Sequence, residues 1–433
     1  MISQQDILSI IEQQTGWAVG CTEPVMVALA VARAADLAGG APPLKVLVEA
    51  SPGIFKNVRS VGLPGTSQKG VSMAAALGAA GVEWKANLCL FESLTPAQVR
   101  YARDLLEAKK VTARCDHEKS GLYVRAVVEN TRHSGEAVIE GSHNNFTRLV
   151  KDGQVLLGDG GKASAVAQQP GVNDLKGVPY LDFIELILSL PLTDPRVQRL
   201  VEGSQKARAL AEEVISGGVC CLQKLGIPDT LQIMLKEGSL KDSLLDKIRL
   251  EVAAAVAARM SGLQSPVMAS GGSGNQGLMI GITIGRICEA YGVGQEDLGR
   301  ALLLAHGTNI YLKAYTGIIS PLCGAVAAGA GVAAASGWLS GMSAEEMGTA
   351  VENLISNLYG MICDGAKASC ALKMATGAVE GVIAGSLAKN GVYFRSEGIV
   401  ADMVDQTISQ VEQLTKKSFH NLDKLLLAAE ADT

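Results

Sequence analysis

Apolar and polar positions follow two different periods in two stretches of the 433-residue chain. Near the start, Ile7, Ile10 and Ile11 recur at helical spacing and Ser3 with Asp6 makes a capping-box pattern, so residues 3–15 are expected to form an amphipathic helix ended by Gly16. A loop carrying Gly20-Cys21-Thr22-Glu23-Pro24 leads to a second helix over about 25–38, with Pro24 suited to its first turn. From about residue 41 the period shortens. Residues 44–50 read as a strand, and further strands are expected at 86–92, 109–115, 121–129, 136–141 and 146–157, the last folded at Asp152-Gly153 into a hairpin. Thr95-Pro96-Ala97-Gln98 has the cap, proline and capping-box partner of a helix start. The stretch 159–178 is rich in Gly, Ala, Gln and Pro and reads as a linker or exposed loop. Beyond 180 helical periodicity dominates, over roughly 194–217, 239–261, 277–291, 295–305, 323–337, 343–359, 371–388 and 400–415. The expected fold class is α+β. A mostly helical domain forms from residues 1–40 and 180–433, and a smaller α+β domain, 41–179, is inserted into it.

Composition narrows what such a chain can do. Hydrophobic residues make up 48% and charged residues 19%, which excludes intrinsic disorder. The net charge is −5, from 38 basic and 43 acidic residues with no long basic run, so neither nucleic acid nor an anionic membrane is an expected partner. Gly is abundant, with 49 residues, and aromatics are scarce at 4%, which suits helices packed close together. The uncharged stretch 322–338 is only as long as the shortest membrane spans, and most of it is Ala or Gly, so it is expected to be a buried helix. The start, Met-Ile-Ser-Gln-Gln-Asp, lacks the basic and apolar regions of a signal peptide, so a cytoplasmic location with reduced thiols is expected. An apolar helical domain of this size is compatible with a homo-oligomer.

The nine cysteines include no Cys-x-x-Cys pair, which argues against a zinc ribbon or a thioredoxin-type site. Cys89, Cys115, Cys220, Cys221 and Cys288 are expected to be small buried hydrophobes. Cys21 stands just before a helix, where free N–H groups favour thiolate, with Glu23 opposing in part. Cys323 opens the small-residue helix, and Cys363 and Cys370 share the segment Cys-Asp-Gly-Ala-Lys-Ala-Ser-Cys. In one straight helix the sulfurs of the latter two would be about 10 Å apart along the axis, too far to share a small cluster. Asp364-Gly365 allows the segment to bend, and three cysteines on helix-connecting loops suit a [4Fe–4S] cluster with one iron left open. The loop Ser270-Gly271-Gly272-Ser273-Gly274-Asn275-Gln276-Gly277 precedes a helix, and its N–H groups suit a carboxylate or phosphate, though it is neither a P-loop nor a dinucleotide fingerprint. Residues 305–309, with His306 and Asn309, read as a second polar loop. In the inserted part, Ser51–Asn57, Gly62–Thr66 and Gly141–Asn145 are expected loops whose Asn57, Ser142 and Asn144 could bind a small polar substrate, with Lys56 and His143 as proton carriers. Taken singly, each loop also has the composition of an ordinary turn.

Together, Gly20-Cys21-Thr22-Glu23-Pro24, Gly53-Ile54-Phe55-Lys56-Asn57, Gly272-Ser273-Gly274-Asn275-Gln276-Gly277 and the Cys323/Cys363/Cys370 set resemble the bacterial and archaeal L-cysteine desulfidase family over nearly the whole chain. The C-terminal part is also similar to the α-chain of iron–sulfur L-serine dehydratases, through the Gly-x-Gly-Asn-Gln-Gly loop and the first two cluster cysteines. The gap from Cys363 to Cys370 is shorter than in the dehydratases, and Cys21-Thr22 stands where they carry Ser-His-Thr, which favours the desulfidase branch. The resemblance implies a helical catalytic domain and α,β-elimination of L-cysteine to pyruvate, ammonia and hydrogen sulfide. It implies no pyridoxal phosphate. Cys323, Cys363 and Cys370 would hold the cluster, and an open iron would act as Lewis acid on the substrate sulfur. The resemblance gives Cys21 a part in activity either as a cluster ligand or as acid/base; as base it is the first choice to take the α-proton, with His306, His143 and Lys56 behind it. Ser273, Gly274, Asn275, Gln276 and Asn309 would hold the carboxylate. L-serine dehydration, or ligand binding without catalysis, are the competing expectations.

Overall fold

A computed structural model describes residues 2–158, 170–218, 226–419 and 421–431. In chain order its elements are α1 (Gln4–Gln14), β1 (Trp17–Val19), α2 (Thr22–Leu37), β2 (Lys45–Ala50), α3 (Pro52–Arg59), α4 (Val71–Gly78), α5 (Pro96–Glu107), β3 (Val111–Cys115), β4 (Tyr123–Glu129), β5 (Ser134–Glu140), β6 (Phe146–Lys151), β7 (Gln154–Leu157), α6 (Tyr180–Leu188), α7 (Pro195–Ile215), α8 (Ile227–Lys236), α9 (Leu244–Met260), β8 (Pro266–Met268), α10 (Gly274–Tyr291), α11 (Gln295–Thr316), α12 (Gly324–Leu339), α13 (Ala344–Leu358), α14 (Cys370–Lys389), α15 (Val404–Ser418) and α16 (Leu422–Ala431). The fold is α+β and mostly helical, as expected.

Two hydrophobic cores divide the molecule. The larger one is centred on α12, whose residues Ala325–Gly337 are all buried among α10, α11, α13 and α14. Small residues let the backbones touch. A Cβ on Gly331 would lie 2.2 Å from the Ala305 carbonyl, and one on Gly381 would lie 2.6 Å from the Gly329 carbonyl. The apolar stretch 322–338 is therefore a core helix. By length and composition α14 could cross a membrane, but it packs along α9, α12 and α13.

The smaller core lies under a six-stranded sheet of order β3-β2-β4-β5-β6-β7, in which only β2 and β3 run parallel. Here one boundary differs from expectation. The expected helical domain takes in the span 1–40, yet α2 buries Val25–Ala32 in the sheet's core and crosses β4 and β5. A Cβ on Gly135 of β5 would meet the Ala34 carbonyl at 2.1 Å, so the helix lies directly on the strand backbone. Only α1, of the first 40 residues, joins the larger core as a helix.

Three local expectations also change. Residues 86–92 are not a strand: Trp84–Cys89 is a 3-10 turn, capped by Glu83 and kinked where Asn87 takes φ 55°. Ser51–Asn57 is not a loop but the start of α3, since Pro52 at the first helical position loses no hydrogen bond. Residues 305–309 are not a loop either. They lie inside α11, where Gly307 faces Ile187 and a Cβ would sit 2.8 Å from its Cδ1, so the glycine gives close packing instead of a break. The segment 159–169 of the expected linker and the pair Cys220-Cys221 fall outside the described residues.

Candidate active site

Two short backbone pairings bring distant loops to the seam between the cores. β1 and β8 pair antiparallel, Trp17 opposite Met268, which sets the loop at 20–23 against the loop at 270–273. Thr22 Oγ1 donates to the Gly272 carbonyl at 3.0 Å. Arg259 Nη2 donates to the Gly20 carbonyl at 2.7 Å, and its Nη1 donates to Asn275 Oδ1 at 2.8 Å. The second pairing is a bridge between Leu322 and Ile362. Cys323 N–H donates to the Met361 carbonyl (2.9 Å) and Cys363 N–H to the Pro321 carbonyl (2.6 Å), so these two cysteines meet across it. Gly365, at φ +106°, then turns the chain so that Cys370 opens α14.

The result is an inner cavity of about 80 Å³ walled by Cys21, Cys323, Cys363 and Cys370 together. Asn57, His143, Ser273, Asn275 and Gln276 complete it, with Glu23, Arg259 and Lys313 as its charged groups. Ile318 lines this cavity and also two outer grooves of about 720 and 880 Å³.

The electrostatics of Cys21 correct one expectation. It is the cap residue of α2, where a thiolate was expected. Burial first, and then the Glu23 carboxylate, push its pKa well up, so the group is a thiol that donates to Glu23 Oε2 at 3.0 Å. Burial alone would lift the Glu23 carboxyl; the facing His143, the Cys21 thiol and Asn57, whose Nδ2 donates to Glu23 Oε1 at 3.0 Å, hold it below its ordinary range. Burial pushes His143 down, with Glu23 pulling the other way. Lys313 is pushed down to about 8 by burial, with the Cys363 and Cys323 sulfurs and Glu23 opposing.

The three remaining cysteines are crowded thiols with weak partners. Burial and the neighbouring Cys363 raise Cys323 to about 12, even though it caps α12. Burial raises Cys370 as well. Cys363 Sγ is 4.0 Å from Asn57 Oδ1, and Cys370 Sγ is 3.6 Å from the Gly365 carbonyl. Among the described residues, no three His, Cys, Asp or Glu side chains converge as a single metal ion needs. Three sulfurs around one cavity, that of Cys323 buried and those of Cys363 and Cys370 half-buried, have the donor chemistry of a cluster instead, because soft thiolates favour iron–sulfur groups and ligation removes their protons outright.

The other expected site residues lie elsewhere. His306 is sealed inside α11, its Nδ1 2.9 Å from Ser270 Oγ, and burial pushes its pKa down to about 3. Asn309 Nδ2 donates to the same hydroxyl at 2.8 Å. Neither lines the cavity; both brace the loop from behind. Ser142 and Asn144 line the outer grooves. Lys56 lies under the floor, its Nζ donating to the Cys363 carbonyl at 2.7 Å. Gly274 contributes space, since a Cβ there would lie 2.6 Å from Arg259 Nε. Conversely, Arg259 and Lys313 were not singled out from the sequence. Their signal is a lone cation in an apolar helical run, Ala-Val-Ala-Ala-Arg-Met and Ile-Tyr-Leu-Lys-Ala. Three buried polar atoms of cavity-lining residues have no partner: Arg259 Nε, Gln276 Oε1 and His143 Nε2.

A family model described as serine dehydratase alpha chain matches residues 196–428. A UPF0597 protein of Moorella thermoacetica is 38% identical over 428 residues, covering 98% of this chain and 97% of the relative. UPF0597 proteins of Alkaliphilus oremlandii and Clostridioides difficile are 34% and 33% identical, covering 97% and 95% of this chain and 96% and 95% of their own lengths. The family match spans the three clustered cysteines and omits the sheet, whereas the alignment to the Moorella relative covers nearly the whole chain.

Proposed function

The chain belongs to the serine dehydratase alpha chain family, and on that premise we propose that it is an iron–sulfur lyase that eliminates sulfide from L-cysteine, giving pyruvate and ammonia after imine hydrolysis. One observation carries this reading: Cys323, Cys363 and Cys370 face one cavity together with Cys21. The first three would hold the cluster. When bound, a [4Fe–4S] cluster supplies Lewis-acid chemistry that eases departure of the sulfur.

The chain's own residues handle the rest. Arg259 Nε and the Lys313 ammonium suit the substrate carboxylate, and the unpartnered Gln276 Oε1 suits its ammonium. The Cys21–Glu23 pair is the base. Glu23 accepts the thiol proton across the 3.0 Å hydrogen bond, and the freed Cys21 sulfur takes the α-proton. The environment that makes Cys21 hard to ionise also makes its thiolate a strong base, as a weakly acidic C–H requires. Asn57 holds the carboxylate of Glu23 in place.

The test is anaerobic reconstitution of the wild type and of Cys323→Ala and Cys363→Ala. The wild type should take up iron and sulfide with brown absorbance and release sulfide from L-cysteine, and both variants should stay colourless. Full colour in both variants overturns the ligand assignment. Faster pyruvate formation from L-serine than from L-cysteine, in a side-by-side assay, would replace the desulfidase reading with the dehydratase one that the family description favours.

A further inference from the structure

The loop that carries Cys363 is gripped from outside the cavity by the C-terminal segment. The Lys56 side chain is almost completely buried, and its Nζ donates both to the Cys363 carbonyl at 2.7 Å and to Asp423 Oδ1 at 2.6 Å. Asp423 sits in the first turn of α16, and α16 packs on α3. The seat is close: a Cβ on Gly53 of α3 would lie 3.0 Å from Asp423 Oδ2. The loop rests on the same helix, since a Cβ on Gly365 would lie 3.0 Å from the Lys56 carbonyl. A second grip lies just upstream, where the Tyr359 ring stacks on Phe419 with centroids 6.1 Å apart and planes at 19°. Both the approach to Cys363 and its own carbonyl thus end on this segment, at Phe419 and, through Lys56, at Asp423.

The apolar hold on α16 is partial, with Leu422, Leu426 and Leu427 half-buried. None of its leucines belongs to either hydrophobic core, and Leu425 is 64% exposed. The Lys56 ammonium, for its part, has no other counter-ion among the described residues. Removing one partner of such a buried pair leaves an uncompensated charge, so loss of Asp423 should disturb the loop more than loss of an exposed partner would.

We propose that α16 is a strap over the Cys363 loop, with Asp423 and Lys56 as positioning residues that fix this loop against α3. Neither residue lines the cavity, so neither acts on substrate. The strap rests on the iron–sulfur reading only for what the loop is held to do; the mechanical link stands without it.

The experiment compares the full-length wild type with Asp423→Asn, Lys56→Met and the double variant. Backbone hydrogen exchange is followed in the protein as purified, and release of iron to a ferrous chelator is followed after reconstitution. In Asp423→Asn, exchange in residues 361–369 should rise about tenfold while α10 and α12 stay as protected as before. Iron release should quicken by a similar factor, and the double variant should be no worse than Lys56→Met. Exchange in 361–369 within twofold of wild type, or an equal rise throughout the bundle, overturns the strap. Asp423 is the partly exposed partner, so its variant decides the matter even if Lys56→Met fails to fold. A protein that takes up no iron at all would sink the lyase reading, whereas the exchange measurement would still judge the strap.

Discussion

Two buried histidines mark two different interiors in this protein. His306 lies within the helical core, where its one side-chain partner is the Ser270 hydroxyl, and burial holds it neutral with a pKa of about 3. His143 lies on the seam between sheet and bundle, equally buried, but it faces Glu23, leaves Nε2 unpartnered and lines the cavity with the cysteines. A group sealed in one core has its hydrogen bonds completed by its own scaffold. A group at the junction of two cores has neighbours from both and can be left with capacity for a ligand. On the seam, loops from both halves meet around the cavity.

The sharpest way to break this contrast is to disarm the seam. Glu23→Gln should lower sulfide release by about 10²–10⁴-fold while leaving iron content intact, since it removes the proton acceptor of Cys21 and no cysteine. Steady-state rates on iron-matched protein check this, and a loss below tenfold would remove Glu23 from the base.

The same cut made in the interior should leave turnover alone and alter stability. His306→Gln is expected to keep kcat within about threefold, as a brace and not a reacting group. In the wild type the folded imidazole titrates near 3, against the ordinary 6.5, so between these values the unfolded chain binds the extra proton and stability falls as the pH drops. At pH 5 the penalty is about 2 kcal/mol, and the variant should lack this slope in denaturation at pH 7 and pH 5. An unchanged slope would mean that His306 is not held neutral.

The smallest effect belongs to the outer grooves. Ser142→Ala and Asn144→Ala should shift KM by less than about threefold and leave kcat unchanged, because they line only the approach. A tenfold loss of kcat from either would move the site outward into the grooves.

Much of this was legible along the chain. Ser3 and Thr95 cap their helices as the capping-box pattern required, and Asp152-Gly153 turns the β6–β7 hairpin, because caps and turns depend on residues a few positions apart. The bend at Gly365 was readable too, since only a turn could bring Cys363 and Cys370 to one place. Misread segments were those in which a local signal was overruled from a distance. Residues 305–309 read as a loop, yet Gly307 is a helix contact with Ile187, and Ser51–Asn57 read as a loop but starts α3. The helical periodicity ends at about 415, and α16, whose Asp423 pairs with Lys56 of distant α3, lies beyond it.

By itself the sequence determined that the chain forms a mostly helical α+β fold and which of its residues have the chemistry to matter: thiols, a carboxylate and Gly-rich loops. Such properties are intrinsic to residue type or to near neighbours. Tertiary structure alone decided that α2 belongs to the sheet, that Cys21 is a thiol bound to Glu23, that Arg259 and Lys313 face the cavity, and that Lys56 and His306 are braces. Burial and partner identity are set by segments hundreds of residues apart, and those two quantities control whether a titratable group carries charge, and what it can touch.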